Sequence, residues 1–328
     1  MVKLNIIGDP EDQVIESNEL DRNSMGGTEL MKFGLYDRVD PKLLEKFQII
    51  PSRVRELSET KKRIYWVHDL AQDPEMAHLK DGGWEKFDAI VCVSHWQKQQ
   101  IQNFLGVPAS KLTVLQNAID PIEVDSKPDP KDGINIIYHT TPHRGLELLV
   151  PVMDWVTQTL PDIKWHLDVY SSFEVYGWKE RDKEYEELFQ KIKDHPNMTY
   201  HGYKPNEEVK EALKKAHIFA LPSIWQETSC IAMIEAMSAG CLCVHSSLAA
   251  LPETTANWTL MYDFTEDMND HASRHALTLA DALRLVDDKN MQERLNMQKA
   301  YTDGFYDWQT RSKQWEVFLT SLLAKDGK

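Results

Sequence analysis

The chain has 328 residues, of which 42% are hydrophobic and 27% charged, and its formal net charge is -15. That length holds two domains, and the composition is ordinary for a globular protein. The acid excess argues against a general nucleic-acid binder and against a partner on an anionic membrane surface, because both demand clustered Lys and Arg. No apolar run reaches the about 18 residues of a membrane span. The opening "MVKLNIIGDPED" has too short an apolar run for a signal peptide. The expected compartment is the cytoplasm. Cys92, Cys230, Cys241 and Cys243 form no Cys-x-x-Cys pair and have no His beside them at zinc spacing. They read as reduced, buried thiols.

"KLNII" at 3–7 is an apolar run ending in Gly-Asp-Pro, hence a strand entering a loop. After a patternless stretch, "GGTELMKFGLYDRV" reads as a helix behind a Gly pair, with Leu30, Phe33 and Leu35 as its apolar stripe. "FQIIP" and "RIYWVH" are strands, and Asp69 then caps the next segment. "DAIVCVS" is a near-continuous apolar strand of the kind buried in parallel sheets. Ser94 caps a helix, "HWQKQQIQNFLG", that Gly106 stops. "LTVLQN" is the fifth strand. The Pro-, Asp- and Gly-rich stretch 120–133 is the linker.

The alternation then restarts. "INIIYH", "KWHLDVYS", "MTYHGY", "HIFALPS" and "CLCVHSS" read as strands. "GLELLVPVMDWVTQTL", "EYEELFQKIKDH", "NEEVKEALKKA" and "SCIAMIEAMSAG" read as the helices between them. The last forty or so residues are helical with a break near Asp303-Gly304. Strands alternating with helices predict an α/β chain of two Rossmann-like, doubly wound domains facing across a cleft. The expected boundaries are 1–125 and 133–305, with a terminal helix over 306–328.

Ligands in such sheets bind at the carboxyl ends of the strands. One of those ends is "LPSIWQETSCIAMIEAMSAG". The strand ends at Pro222 and the helix starts near Ser229 or Cys230, so Glu227 lies in the loop and Glu235 about one and a half turns into the helix. The free N–H groups of Thr228, Ser229, Cys230 and Ile231 make a positive helix end suited to phosphate. Carboxylates beside a phosphate repel it unless they face hydroxyls. A ligand with phosphates in the middle and hydroxyls at both ends, a sugar nucleotide, satisfies both. The glycines at 26 and 27, ahead of a helix, let backbone approach a ligand closely.

The block "ALPSIWQETSCIAMIEAMSAGCLCVHSSLAALPE" resembles the donor-binding signature of the retaining family 4 glycosyltransferases, which have the GT-B fold. Pro222, Ser223, Glu227, Glu235, Ala236, Met237, Gly240, Pro252 and Glu253 match its pattern. "NAID" at 117–120 resembles the Asn-Gly-Val-Asp that ends the family's first domain, and "FYDWQTRSKQWEVFL" its terminal helix, which crosses back onto that domain. The resemblance covers about 26–322 and assigns roles. Glu227 contacts the donor sugar, and Glu235 holds the ribose hydroxyls. Tyr203 and Lys204 frame the base. His68 lies close to the transferred sugar, and Gly26 and Gly27 belong to a loop facing phosphate or acceptor. In "YHTTPHRGLELL", Arg144-Gly145 matches the family's Lys-Gly, and His139 falls where the family has Arg. Arg144 can grip a diphosphate bidentately, whereas His139 brings charge only when protonated. Thr228-Ser229-Cys230 stands where the family commonly has Gly-Phe-Gly, crowding the sugar end.

The resemblance therefore implies a retaining hexosyltransferase taking a nucleotide-diphosphate sugar, UDP first and GDP second, to a hydroxyl on a carbohydrate, lipid-linked or protein acceptor. No cofactor and no metal are expected, since no Asp-x-Asp stands at a strand end. Two other readings stay open: a sugar-nucleotide epimerase of the same fold, and a non-catalytic subunit that binds sugar nucleotides.

Overall fold

The computed structural model describes residues 26–324. The strand expected at 3–7 and the stretch up to Met25 lie outside the described residues, as do the last four.

The first sheet contains β1 (Phe47–Pro51), β2 (Lys62–Val67), β3 (Ala89–Cys92) and β4 (Leu112–Val114), parallel and in that order. Its apolar runs bury both faces. Ile49, Ile64, Trp66 and Val91 face a core shared with α1 (Gly27–Tyr36), α2 (Pro41–Leu44) and the terminal α11 (Trp308–Ala324). Tyr65, Val67, Ile90 and Cys92 face the opposite core, closed by α3 (His95–Leu105) and a 3-10 turn at Pro74–Leu79. Alternate residues thus take opposite faces, as the period of a strand requires. Ser94 Oγ accepts from Gln97 N, and Gly106 ends α3 in the left-handed region at φ 69°.

The second sheet has six parallel strands in the order β10-β9-β8-β5-β6-β7. These are β5 (Ile134–Tyr138), β6 (Trp165–Val169), β7 (Met198–Tyr200), β8 (Ile218–Leu221), β9 (Leu242–Ser246) and β10 (Leu260–Tyr262). Around them lie α4 (Leu146–Thr159), α5 (Glu186–Asp194), α6 (Asn206–Leu213), α7 (Ile231–Ser238), α8 (Leu251–Thr255), α9 (Met268–Leu285) and α10 (Lys289–Phe305). Strand order runs outward in both directions from the β5–β8 pair. That pair is the topological switch point, where a doubly wound sheet opens a crevice at its carboxyl edge.

The expected linker is docked rather than free. Ile119 pairs with Asp307, Ile119 N donates to Tyr306 O at 2.8 Å, and Trp308 N donates to Ile119 O at 3.1 Å. Ile122 N donates to Ser238 Oγ at 2.9 Å. Beyond this crossing α11 packs on the first sheet, with Trp315 edge-on to Trp66 at 4.8 Å.

Several elements depart from the sequence expectation. In α1, Met31, Gly34 and Leu35 are buried while Leu30 and Phe33 are half-buried, because Trp308 of α11 lies over Gly34 and pulls the stripe to that side. The carboxylate of Asp69 caps nothing; it accepts from Ser52 Oγ at 2.8 Å, and Asp73 caps the turn instead. The break near Asp303-Gly304 falls later, because α10 runs through Gly304 to Phe305. The elements α8, β10 and α9 were not expected from the sequence pattern. The buried face of α9 includes His271 and His275, which a hydropathy pattern scores as polar.

Candidate functional site

The site is built where β5 and β8 end. After β5 the chain makes a 3-10 turn, Pro142–Arg144, and reaches Gly145 at φ 114°. A Cβ on Gly145 would fall 2.1 Å from the carbonyl oxygen of Pro222, so only glycine lets this turn press against the end of β8. That contact brings Arg144 to the β8–α7 loop, where its Nη1 lies 3.2 Å from Glu227 Oε1. Both side chains are largely buried, at 18% and 8% exposure. The pair is an ion pair without hydrogen-bond alignment, since Glu227 Oε1 and Arg144 Nε each lack a hydrogen-bond partner among the described residues. Burial raises the Glu227 carboxyl above its ordinary range, and Arg144 only partly offsets that. Burial also works against the Arg144 charge, but Glu227 and the neighbouring Tyr176 hold its pKa above the usual value.

The helix α7 begins at Ile231, with Cys230 as its cap and no side-chain cap bond, so its first N–H groups are not satisfied by a capping side chain. Residues from Met233 to Ser238 are all buried. A helix apolar all round belongs inside a protein, and here α10, α6 and α8 flank it, while Ile234 meets Ile119 and Tyr306. Glu235 is therefore enclosed, not beside a solvent face. Asn206 Nδ2 donates to Glu235 Oε1 at 2.9 Å. Burial raises the Glu235 carboxyl, and the Asn206 bond opposes the shift. Tyr203 is half-buried in the β7–α6 turn, three residues before Asn206. Lys204 Nζ lies 3.5 Å from Glu208 Oε2.

The first sheet's half closes on the same helix end. A Cβ on Gly27 would lie 3.1 Å from Ile231 Cδ1, and one on Gly26 would lie 2.8 Å from Tyr176 Cε1. Thr228 Oγ1 donates to His68 O at 3.0 Å, and Asn117 Nδ2 donates to Ser229 O at 3.2 Å. Glu253 reaches across to α3 and accepts from His95 N at 2.8 Å and Trp96 N at 2.9 Å. The structure thus gathers Gly26, Gly27, His68, Arg144, Glu227, Thr228, Ser229, Cys230 and Ile231 at one place, with Glu235 behind them.

His139 packs against Phe219 at 4.7 Å, and burial pushes its pKa down to about 3. His68 packs on Trp66 at 4.8 Å and is likewise pushed down to about 3. Both imidazoles are neutral near pH 7, so neither brings charge to an anion. The buried Cys230 thiol is pushed up and stays protonated. Buried polar atoms without a partner among the described residues concentrate here: His68 Nε2, Asn117 Oδ1, His139 Nε2, Thr140 Oγ1, Thr141 Oγ1 and His143 Nδ1 join those of Arg144 and Glu227. Native proteins pair nearly all such groups, so ordered water or a polar ligand completes these.

Sequence reasoning missed the roles of Asn206, Glu253 and Tyr176. Asn206 opens a helix and reads as a helix-start residue; only the fold turns it onto Glu235. Glu253 stood in a matched Pro-Glu pair with no role attached. Tyr176 carried no signal. Among the described residues no group of three or more His, Cys, Asp or Glu is placed to hold a metal ion, and no helix is long and apolar enough to cross a membrane. All four cysteines are buried and unpaired.

The family described as "Glycosyl transferases group 1" matches residues 127–297, just over half of the chain. An Arabidopsis thaliana protein, named as a subunit of phosphatidylinositol N-acetylglucosaminyltransferase, is 27% identical over 241 residues, which cover 72% of this chain and 50% of the relative. The chain therefore spans about half the length of that curated relative. A glycosyltransferase from Rickettsia africae superposes with a TM-score of 0.64 at 12% identity, covering 93% of this chain and 84% of that one. Anabaena HepE, solved with UDP-glucose, superposes at 0.61 and 15% identity over 80% of this chain and 72% of its own. The two parallel-sheet α/β domains have the GT-B arrangement of these structures.

Proposed function

Because this chain belongs to the glycosyl transferases group 1 family, we propose that it is a retaining, family 4-like glycosyltransferase that moves a sugar from a nucleotide diphosphate to an acceptor hydroxyl. The observation that carries the reading is the buried Arg144–Glu227 pair, 3.2 Å apart with unaligned polar atoms, set against the start of α7. In the free protein the two charges offset each other. With donor bound, Arg144 and the first N–H groups of α7 take the diphosphate, and Glu227 turns to the sugar hydroxyls. Glu235, steadied by Asn206, takes the ribose hydroxyls. His139 contributes a neutral hydrogen bond at most, so Arg144 and the helix end carry the charge of the leaving group without a metal.

In the reaction the bond between the anomeric carbon and the phosphate oxygen breaks. The acceptor oxygen bonds to the same face of that carbon, and the acceptor proton leaves on the diphosphate. No protein nucleophile is required. His68 lines the sugar end, where its backbone carbonyl fixes Thr228. HepE was solved with UDP-glucose, and the Arabidopsis relative is named for N-acetylglucosamine transfer; both favour a UDP-sugar here, with GDP second. A thermal-shift screen against UDP, GDP, ADP and their sugars tests the donor, because a ligand of the native state raises Tm. Transfer measured with and without EDTA tests independence from metal. Product analysis with donor alone separates transfer from epimerisation.

A further inference from the structure

We propose that Trp225 and the aromatic wall behind it form a stacking subsite for the acceptor, and that the acceptor is a pyranoside. This rests on the glycosyl-transfer reading of the same site. Trp225 lies two residues before Glu227 and is 43% exposed, although its neighbour Glu227 is buried. A lone exposed tryptophan needs no explanation, but this one is braced. Its carbonyl is held by Ser223 Oγ at 2.9 Å. Its ring meets His143 edge-on at 4.7 Å, and His143 in turn stacks on Phe173 at 5.2 Å and 15°. The Arg181 guanidinium sits 4.4 Å over Phe173 and backs the stack.

The wall also contains a polar group. His143 Nδ1 is buried without a partner among the described residues, and burial with the nearby Arg144 and Arg181 charges pushes its pKa down to about 2, so the ring is neutral. A pyranose ring has one face of axial C–H groups and a rim of hydroxyls. The C–H face suits the negative face of an indole, and the rim suits neutral hydrogen-bonding atoms. Position separates the acceptor from the donor. The residues proposed to hold the donor, Arg144 and Glu227, are buried, whereas Trp225, two residues before Glu227 in the chain, is exposed. Tyr176, just past Phe173 in the same turn, packs against Gly26 of the other half, so the wall adjoins the seam between the two halves.

The test is saturation-transfer NMR on the full chain with methyl α-glucoside, methyl α-galactoside and methyl α-mannoside, with UDP present, compared with octanol and a serine peptide. At least one glycoside should receive saturation on the C–H protons of one ring face. W225A should cut that signal at least fivefold and W225F should keep at least half of it. UDP affinity by calorimetry should stay within twofold in both variants. The proposal is overturned by equal saturation in wild type and W225A, by no glycoside signal in wild type, or by stronger saturation of octanol or peptide. It is also overturned if UDP affinity falls in step with the glycoside signal, which would make Trp225 a donor residue. A wild type that fails to bind UDP yet saturates glycosides through Trp225 removes the donor reading and leaves the platform standing.

Discussion

Arg144 and Glu227 stand 3.2 Å apart with both side chains largely buried, and Glu227 Oε1 and Arg144 Nε lack aligned hydrogen bonds among the described residues. The pair is held by position, through the Gly145–Pro222 contact, more than by its own geometry. A ligand can therefore part the two without breaking a well-formed bidentate bond. Glu227→Gln keeps the volume and removes the charge. Transfer should fall by about 10²–10³, the usual cost of one lost transition-state contact, while UDP affinity stays within about threefold. Collapse of UDP binding in this variant would show that Glu227 serves the nucleotide.

Asn206 Nδ2 donates to Glu235 Oε1 at 2.9 Å and fixes the orientation of a carboxylate buried in α7. Asn206→Ala should weaken UDP binding by about 0.5–1.5 kcal/mol, the net worth of one hydrogen bond. Calorimetry on that variant separates an orienting role from none, because unchanged affinity would leave Glu235 self-sufficient.

Glu253 accepts from the first two N–H groups of α3 at 2.8 and 2.9 Å from the other half of the molecule. A carboxylate at a helix start both caps it and meets its dipole. Glu253→Ala should cost about 0.5–2 kcal/mol of stability by urea unfolding. Scattering from the same variant should show a larger radius of gyration, because one fastening across the cleft is gone. An unchanged midpoint would mean that water replaces the cap at no cost.

The two parallel sheets were legible because "AIVCV" and "IFAL" are apolar throughout, which an exposed strand cannot be. The loop position of Glu227 and the helix position of Glu235 followed from Pro222 and the apolar run after Cys230. That Glu235 is enclosed did not follow, since α7 is covered by α10 and the carboxylate is met by Asn206 of α6, both distant in sequence. The Glu227–Arg144 pair was equally hidden: it depends on a turn pressing on a strand end some eighty residues later. For α9 the pattern itself misled, because His271 and His275 are fully buried in its core face.

His275 lies among His271, His245 and Tyr262, and neither of its ring nitrogens has a partner among the described residues. Burial, then the neighbouring His271 and His245, push its pKa down to about 3. Between its ordinary value and about pH 3 the unfolded chain binds the extra proton, so stability is present above pH 6.5 and falls as the pH drops, by up to ~1.4 kcal/mol per pH unit. The raised carboxyls of Glu227 and Glu235 act with the opposite sign, so the comparison with a variant isolates the histidine. Urea unfolding at pH 7.5 and 5.0 should show a smaller acid loss in His275→Leu, by about 1–2 kcal/mol. Equal losses in both proteins would place the acid sensitivity elsewhere.

A nucleotide sugar bound as proposed has its diphosphate between Glu227 and Glu235, at the start of α7. The most direct measurement is calorimetric titration of UDP into the wild type and into Glu235→Ala at one pH and salt concentration. Saturable binding by the wild type is expected, weakened in the variant by ~1.5–3 kcal/mol as the ribose loses a charged acceptor. Equal UDP affinity in the two proteins would contradict it, as would a wild type that binds none of UDP, GDP and ADP.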